Sequence, residues 1–161
     1  MSALPGPLAA WSRREGPVLI GPGGYLRVDD LDSLGLLGAG SYELYETSLL
    51  MSLAERGTTV VDIGANIGYH TVQFARAVGP TGRVFSFEPD PDNLRVLRHN
   101  VRTNGLDNVV VVPKAVGAAT GTIELFRSAA NRGDHRVYDS GDGREAITVN
   151  VVAADEVLDE V

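Results

Sequence analysis

The 161-residue chain contains no cysteine. Disulfides, thiol nucleophiles and cysteine-ligated zinc are thereby excluded, and the composition fits a reducing compartment. Basic residues are scarce: 14 Lys and Arg stand against 21 Asp and Glu, giving a net charge of −7 and a pI near 4.9. Arg13-Arg14 is a pair rather than a cluster. Such a surface repels a phosphate backbone, so nucleic acid is not an expected partner. No apolar run approaches the roughly 20 residues that a membrane span needs. The opening "MSALPGPLAAW" has no basic start and no long apolar stretch, so no secretory leader is read. No His/Asp/Glu spacing suggests a metal, and no Gly-x-Ser-x-Gly suggests a hydrolase. With 43% apolar residues the chain holds enough for a packed core. The expectation is one soluble, cytoplasmic domain with no internal repeat.

Residues 1–16 read as an irregular lead, with Pro5, Gly6, Pro7 and Gly16 and little periodicity. Val18 to Ile20 and Tyr25 to Val28 read as short strands around Gly21-Pro22-Gly23-Gly24, a hairpin signal. "DDLDSLGLLGAG" reads as a loop or a single turn. From Ser41 a helical period begins, with Ser41 as cap and Tyr42, Tyr45, Leu49 and Leu53 as its stripe. That pattern predicts an amphipathic helix docked on the next unit. The organisation expected is thus a lead and hairpin over 1–40 and a sheet-forming domain over 41–161.

Strands and helices then alternate. Thr59 to Ile63 is β-branched and apolar, as a strand buried on both faces should be. Ile67, Thr71, Phe74 and Val78 line one face of a helix stopped by "GPTG". Arg83 to Phe87 is a second strand. Asp90 as N-cap and Pro91 at the first position open a second helix, with Leu94, Leu97 and Val101 inward and Asn104-Gly105 closing it. Val109 to Val112 is a third strand. This order implies parallel strands joined by right-handed crossovers. After Gly117 the alternation breaks into two further strands, Thr122 to Phe126 and Ala146 to Val152. They flank an 18-residue polar connection, "SAANRGDHRVYDSGDGRE". A connection that long is usually functional or disordered. The acidic tail "ADEVLDEV" is placed to start a helix.

The chemistry concentrates in "VVDIGANIGYHTV". A parallel strand ends at Asp62 and the chain turns sharply into a helix. Gly64 and Gly68 lack Cβ, so the turn can take unusual dihedrals and let a ligand approach the backbone. Ligands of open α/β sheets bind at the carboxyl ends of the strands. The dinucleotide spacing is G-x-G-x-x-G, whereas here it is G-x-x-x-G with Asn66 in the middle. A carboxylate preceding the glycines repels a pyrophosphate but suits a cationic ligand bearing an ammonium and a sulfonium. S-adenosylmethionine carries both. Glu88 ends the second strand, 26 positions after Asp62, where a carboxylate can accept both ribose hydroxyls. An NAD site, with Glu88 on the ribose, is the other nucleotide reading, and the glycine spacing argues against it.

The segments "VVDIGANIGYHTVQFA", "VFSFEPDPDNLRVLRHN" and "NVVVVPKAVG", in that order, make the chain resemble the FkbM family of S-adenosylmethionine-dependent methyltransferases over roughly residues 42–157. The resemblance implies an α/β, Rossmann-like class I methyltransferase fold, here partial, with an N-terminal hairpin and helix and a C-terminal pair of added strands. It implies transfer to a hydroxyl oxygen of a small molecule, sugar or lipid. By motif, Asp62, Gly64, Ala65, Asn66 and Gly68 form the cofactor loop, Glu88 holds the ribose, and Lys114 and Ala115 lie near the adenine. Tyr69, His70 and Thr71 either line the methionine end or pack the helix start. His135, Tyr138 and Asp139 are placed to touch an acceptor, while His99 reads as a surface or packing residue; no base is assigned. Family members continue into another buried strand with a "K-I-D-x-E-G" element, which is not found here. The expectation is a truncated methyltransferase with Thr59–Ile63 as an open edge, a feature that invites self-association. A chain without catalysis, which binds the cofactor or nothing and acts as an interaction module through an interface, stays open beside the enzyme.

Overall fold

The computed structural model describes residues 18–20 and 24–159; the lead and most of the glycine turn lie outside them. β1 (Val18–Ile20) pairs antiparallel with β2 (Gly24–Leu26), so the second strand begins and ends earlier than the expected Tyr25–Val28. After β2 the chain is held by α4 (Pro91–Thr103) rather than by a strand. The Asn104 amide donates to Tyr25 O and accepts from Tyr25 N, and the Asn100 amide does the same for Arg27. Two side-chain amides four residues apart therefore replace a strand edge along β2. A one-turn helix, α1 (Leu36–Ala39), follows, its first N–H groups received by the Asp32 carboxylate.

α2 (Leu44–Leu53) departs from the reading of its sequence. Its N-cap is Glu43, in the left-handed region, and the Ser41 hydroxyl instead reaches back to Ala39 O. Tyr45, Leu49 and Leu53 of the expected stripe are exposed at 79%, 52% and 70%. The inward face is Thr47, with Met51 and Ala54 packed against Phe74 and Val78. Leu44, Tyr45, Leu49, Leu50, Met51 and Leu53 surround most of the helix. Periodicity therefore cannot choose a face, and tertiary packing selects one.

β3 (Thr59–Ile63), β4 (Arg83–Phe87) and β5 (Val109–Val112) form a parallel sheet in the order β3-β4-β5. α3 (Tyr69–Val78) and α4 supply the crossovers. Side chains alternate across β4: Val84 packs with Phe74 and Val78 of α3, whereas Phe85 and Phe87 face the opposite layer. That layer is a second sheet, β6-β8-β7, of β6 (Ala115–Val116), β7 (Gly121–Arg127) and β8 (Glu145–Val152), followed by α5 (Ala154–Leu158). β6 has two residues and left no sequence signal. Val112, Val152 and the partly buried Val157 and Leu158 close over the two phenylalanines.

β3 is an edge strand, not one buried on both faces. Val61 and Ile63 sit beside Phe85 and Phe87 in register, yet are 37% and 61% exposed. The second sheet and α5 cover only the β4–β5 part of this face.

Candidate functional site

The tips of β3 and β4 are tied together by the glycine loop. Gly64 N and Ala65 N both donate to Phe87 O at 3.0 Å, and Asn66 N donates to Glu88 Oε2 at 2.8 Å. Asn66 has φ +51, in the left-handed region that asparagine tolerates better than most side chains. Three successive loop N–H groups are thus committed to the protein's own strand tip. In a dinucleotide site such groups face the pyrophosphate; here they do not, and the Glu88 carboxylate beside them disfavours a phosphate further.

Glu88 is 5% exposed. Its Oε1 accepts the Asp90 N–H at 2.8 Å, so each oxygen holds one backbone donor. Each keeps further lone-pair capacity for a ligand hydroxyl. Burial pushes this carboxyl up to about 7; the Asp90 and Asn66 N–H groups oppose the rise, and the Asp90 and Asp62 charges add to it.

Asp62 nonetheless has a different setting. Its Oδ2 accepts the Thr71 hydroxyl at 2.6 Å, and Thr71 Oγ1 lies 3.0 Å from Ser86 Oγ. Thr71 has one proton to give, so the chain runs Ser86 to Thr71 to Asp62 and joins β4, α3 and β3. Burial raises the Asp62 carboxyl, and the Thr71 hydrogen bond acts against that. His70 accepts or donates at Thr47 Oγ1 over 3.2 Å, and burial lowers its pKa. Tyr69 accepts the Tyr42 N–H and is buried among rings.

A cavity opens over the tips of β4 and β5. Of the residues named from sequence, Gly64, Asn66, Glu88, Lys114 and Ala115 line it. Asp62, Ala65, Gly68 and the Tyr69–Thr71 trio do not. Ala65 packs with Leu94, Leu97 and Val101. Gly68 caps α3 at φ +92, a backbone conformation that favours glycine, and a Cβ there would sit 2.7 Å from Leu97 Cδ1, so that side chain would have to shift. Gly64, at φ +77, is different: a Cβ there would meet nothing within 4 Å on the cavity side. The cavity floor is apolar, from Ile63, Phe87, Pro89 and Leu125.

Sequence reasoning missed Asn93 and most of the residues given by the β7–β8 connection: Arg132, Gly133 and Val137. Of His135, Tyr138 and Asp139, only His135 lines the cavity; Tyr138 is 60% exposed and Asp139 accepts the Gly141 N–H. The signal for the connection was its length, not its composition. Asn66 Oδ1 and Asn93 Oδ1 are buried with no hydrogen-bond partner among the described residues. Buried acceptors without donors are costly unless a ligand or water supplies one. Together with the open Gly64 and the spare capacity of Glu88, they make the cavity fit a polar nucleoside. Among the described residues no group of three or more His, Asp or Glu is placed to hold a metal, and no helix is long and apolar enough to cross a membrane.

Several known methyltransferases are similar to this chain. Hexuronic acid methyltransferase AglP of Haloferax volcanii is 31% identical over 114 residues, covering 69% of this chain and 43% of that protein. A protein-L-isoaspartate O-methyltransferase of Ignicoccus hospitalis is 35% identical over 57 residues, covering 35% of this chain and 27% of that protein. The solved structure of M. jannaschii TYW2 in complex with AdoMet aligns over 63% of this chain and 44% of that one, with 23% identity and a TM-score of 0.48. This chain spans roughly a quarter to less than half the length of these proteins. The methyltransferase FkbM domain matches residues 62–161, more than half of the chain. The chain therefore belongs to the FkbM family of Rossmann-like methyltransferases, and its cofactor is S-adenosylmethionine.

Proposed function

We propose that the chain holds S-adenosylmethionine over the tips of β3, β4 and β5 and serves O-methylation of a small-molecule, sugar or lipid hydroxyl. The observation that carries this reading is the buried Glu88 carboxylate, poised in a cavity at the tip of the second parallel strand. When bound, the cofactor would supply an electrophilic methyl group, carried on its sulfonium, for a hydroxyl acceptor that gives up its proton. Glu88 accepts the two ribose hydroxyls, with its carboxylate fixed by the Asn66 and Asp90 N–H groups. Asp62, held by Thr71, fixes the β3 tip and places negative charge toward the cationic end of the ligand. Lys114 and Ala115 flank the base. The relative named catechol O-methyltransferase supports a hydroxyl acceptor, and the relative named hexuronic acid methyltransferase supports a sugar-derived one.

A second reading is cofactor binding without transfer. Calorimetry separates these readings. S-adenosylmethionine and S-adenosylhomocysteine are expected to bind in the micromolar range, and NAD at least 100-fold more weakly, because the loop N–H groups are already committed. Tight NAD binding, or none by either adenosyl compound, rejects the proposal. Binding without methylation of a hydroxyl panel selects the second reading.

A further inference from the structure

The β7–β8 connection is not a free loop. Arg132 carries its heaviest anchoring. The guanidinium Nε donates to Asp30 Oδ1 at 2.7 Å and an Nη to Asp92 Oδ2 at 3.2 Å. The Arg132 N–H donates to Ser33 Oγ at 2.8 Å, and its carbonyl accepts the Asn93 amide at 3.0 Å. Arg127 adds a 2.8 Å contact to Asp90 Oδ2. His135 Nδ1 accepts the Ser128 N–H, so its Nε2 bears the proton and lies 3.7 Å from the same Asp90 oxygen. The next residue, Gly133, abuts the glycine loop: a Cβ there would sit 3.4 Å from Asn66 Nδ2. The connection thus closes the side of the cavity opposite the strand tips.

The cavity runs from Ile63 and Gly64 at the β3 tip past Glu88 to Lys114, Ala115 and Val116 beyond β5, and Asp62 is not in its lining. Pro89, Val116, Leu125 and Val137 give it the apolar faces that a flat purine ring needs. Asn93 is 2% exposed, and its amide orientation is fixed because Nδ2 is bonded to Arg132 O. The oxygen left over is a buried acceptor with no partner among the described residues. An acceptor suits the exocyclic amine of adenine and opposes the 6-oxo group of hypoxanthine. We propose that the β7–β8 connection is the outer wall of the nucleobase end of the site. Arg132 positions this wall, and Asn93 Oδ1 selects adenine. The inference rests on the S-adenosylmethionine reading above.

The test is calorimetry with 5′-methylthioadenosine, its 6-oxo counterpart 5′-methylthioinosine, and S-adenosylhomocysteine. The native chain is expected to prefer the adenosine form by about tenfold or more, since the 6-oxo group leaves two acceptors facing. Arg132→Ala is expected to weaken methylthioadenosine and S-adenosylhomocysteine alike by about tenfold, because binding must then order the wall. The conservative Arg132→Lys, which keeps a cation between Asp30 and Asp92, is expected to restore part of that loss. Amide exchange over 128–137 is expected to quicken in Arg132→Ala and to slow again with ligand. Native affinity in Arg132→Ala, a loss confined to S-adenosylhomocysteine, or equal binding of the two methylthio compounds overturns the inference while leaving the parent reading intact. Failure of the native chain to bind any adenosyl compound overturns both.

Discussion

Glu88→Ala is expected to weaken S-adenosylhomocysteine binding by about 10²- to 10⁴-fold. Each ribose hydroxyl given to a charged acceptor contributes roughly 1.5–3 kcal/mol, and the proposed site gives Glu88 two. The loss has a second source. Asn66 N and Asp90 N each donate to this carboxylate, so its removal also frees the glycine loop. Glu88→Gln separates the two effects. A glutamine keeps the volume and one accepting oxygen, but its NH₂ must face the other backbone N–H. It is therefore expected to lose about 100-fold in affinity, with thermal melting shifted by only a few degrees. Calorimetry and melting of native, Ala and Gln forms, run side by side, check this. Unchanged affinity in both variants contradicts the assignment.

Asn100→Ala is expected to destabilise the fold by about 3–5 kcal/mol, a large share of the roughly 5–15 kcal/mol that holds a domain together. Asn100 is 1% exposed and makes three bonds to backbone: it accepts from Arg27 N at 2.7 Å and donates to Arg27 O at 2.9 Å and Ile67 O at 2.7 Å. Alanine satisfies none of them. The Ile67 carbonyl, at the start of α3 and beside the glycine loop, is left without this donor. For a chain of this length the melting temperature is expected to fall on the order of 10 °C. Asn104→Ala removes the equivalent pair to Tyr25 at a more exposed place and is expected to cost less than half as much. Equal, small effects at both positions contradict the strand-edge role of these amides.

The parallel core was legible because its signals are local. Asp90 and Pro91 opened α4 as their chemistry requires, with Asp90 Oδ1 accepting the Asp92 and Asn93 N–H groups. The buried stripes of α3 and α4 follow a clean helical period. Glu88 was legible because a strand ends where its apolar alternation ends. What escaped depends on long-range contact. Arg132 and Asp30 are 102 positions apart, and no local pattern joins them. Gly64 and Gly68 look alike in sequence, yet one opens onto the cavity and the other admits Leu97. Asn100 reads as an ordinary polar helix residue until β2 is brought against it. α2 carries apolar residues on nearly every side, so only the docked partner reveals its inward face.

The central claim is that an ionised Glu88 receives the ribose of the cofactor. In the free protein burial holds this carboxyl up to about 7, against an ordinary value of 4.5. Folding alone therefore favours the protonated form, and this group's contribution to stability falls as pH rises from 4.5 to about 7. Ligand binding has the opposite preference, because two donated hydroxyls stabilise the carboxylate. The deciding measurement is calorimetric titration of S-adenosylhomocysteine at pH 6 and pH 8, in buffers of differing ionisation enthalpy. About tenfold weaker binding at pH 6, with release of close to one proton that vanishes in Glu88→Gln, is the predicted result. Equal affinity at both values, with no Glu88-dependent proton release, contradicts it.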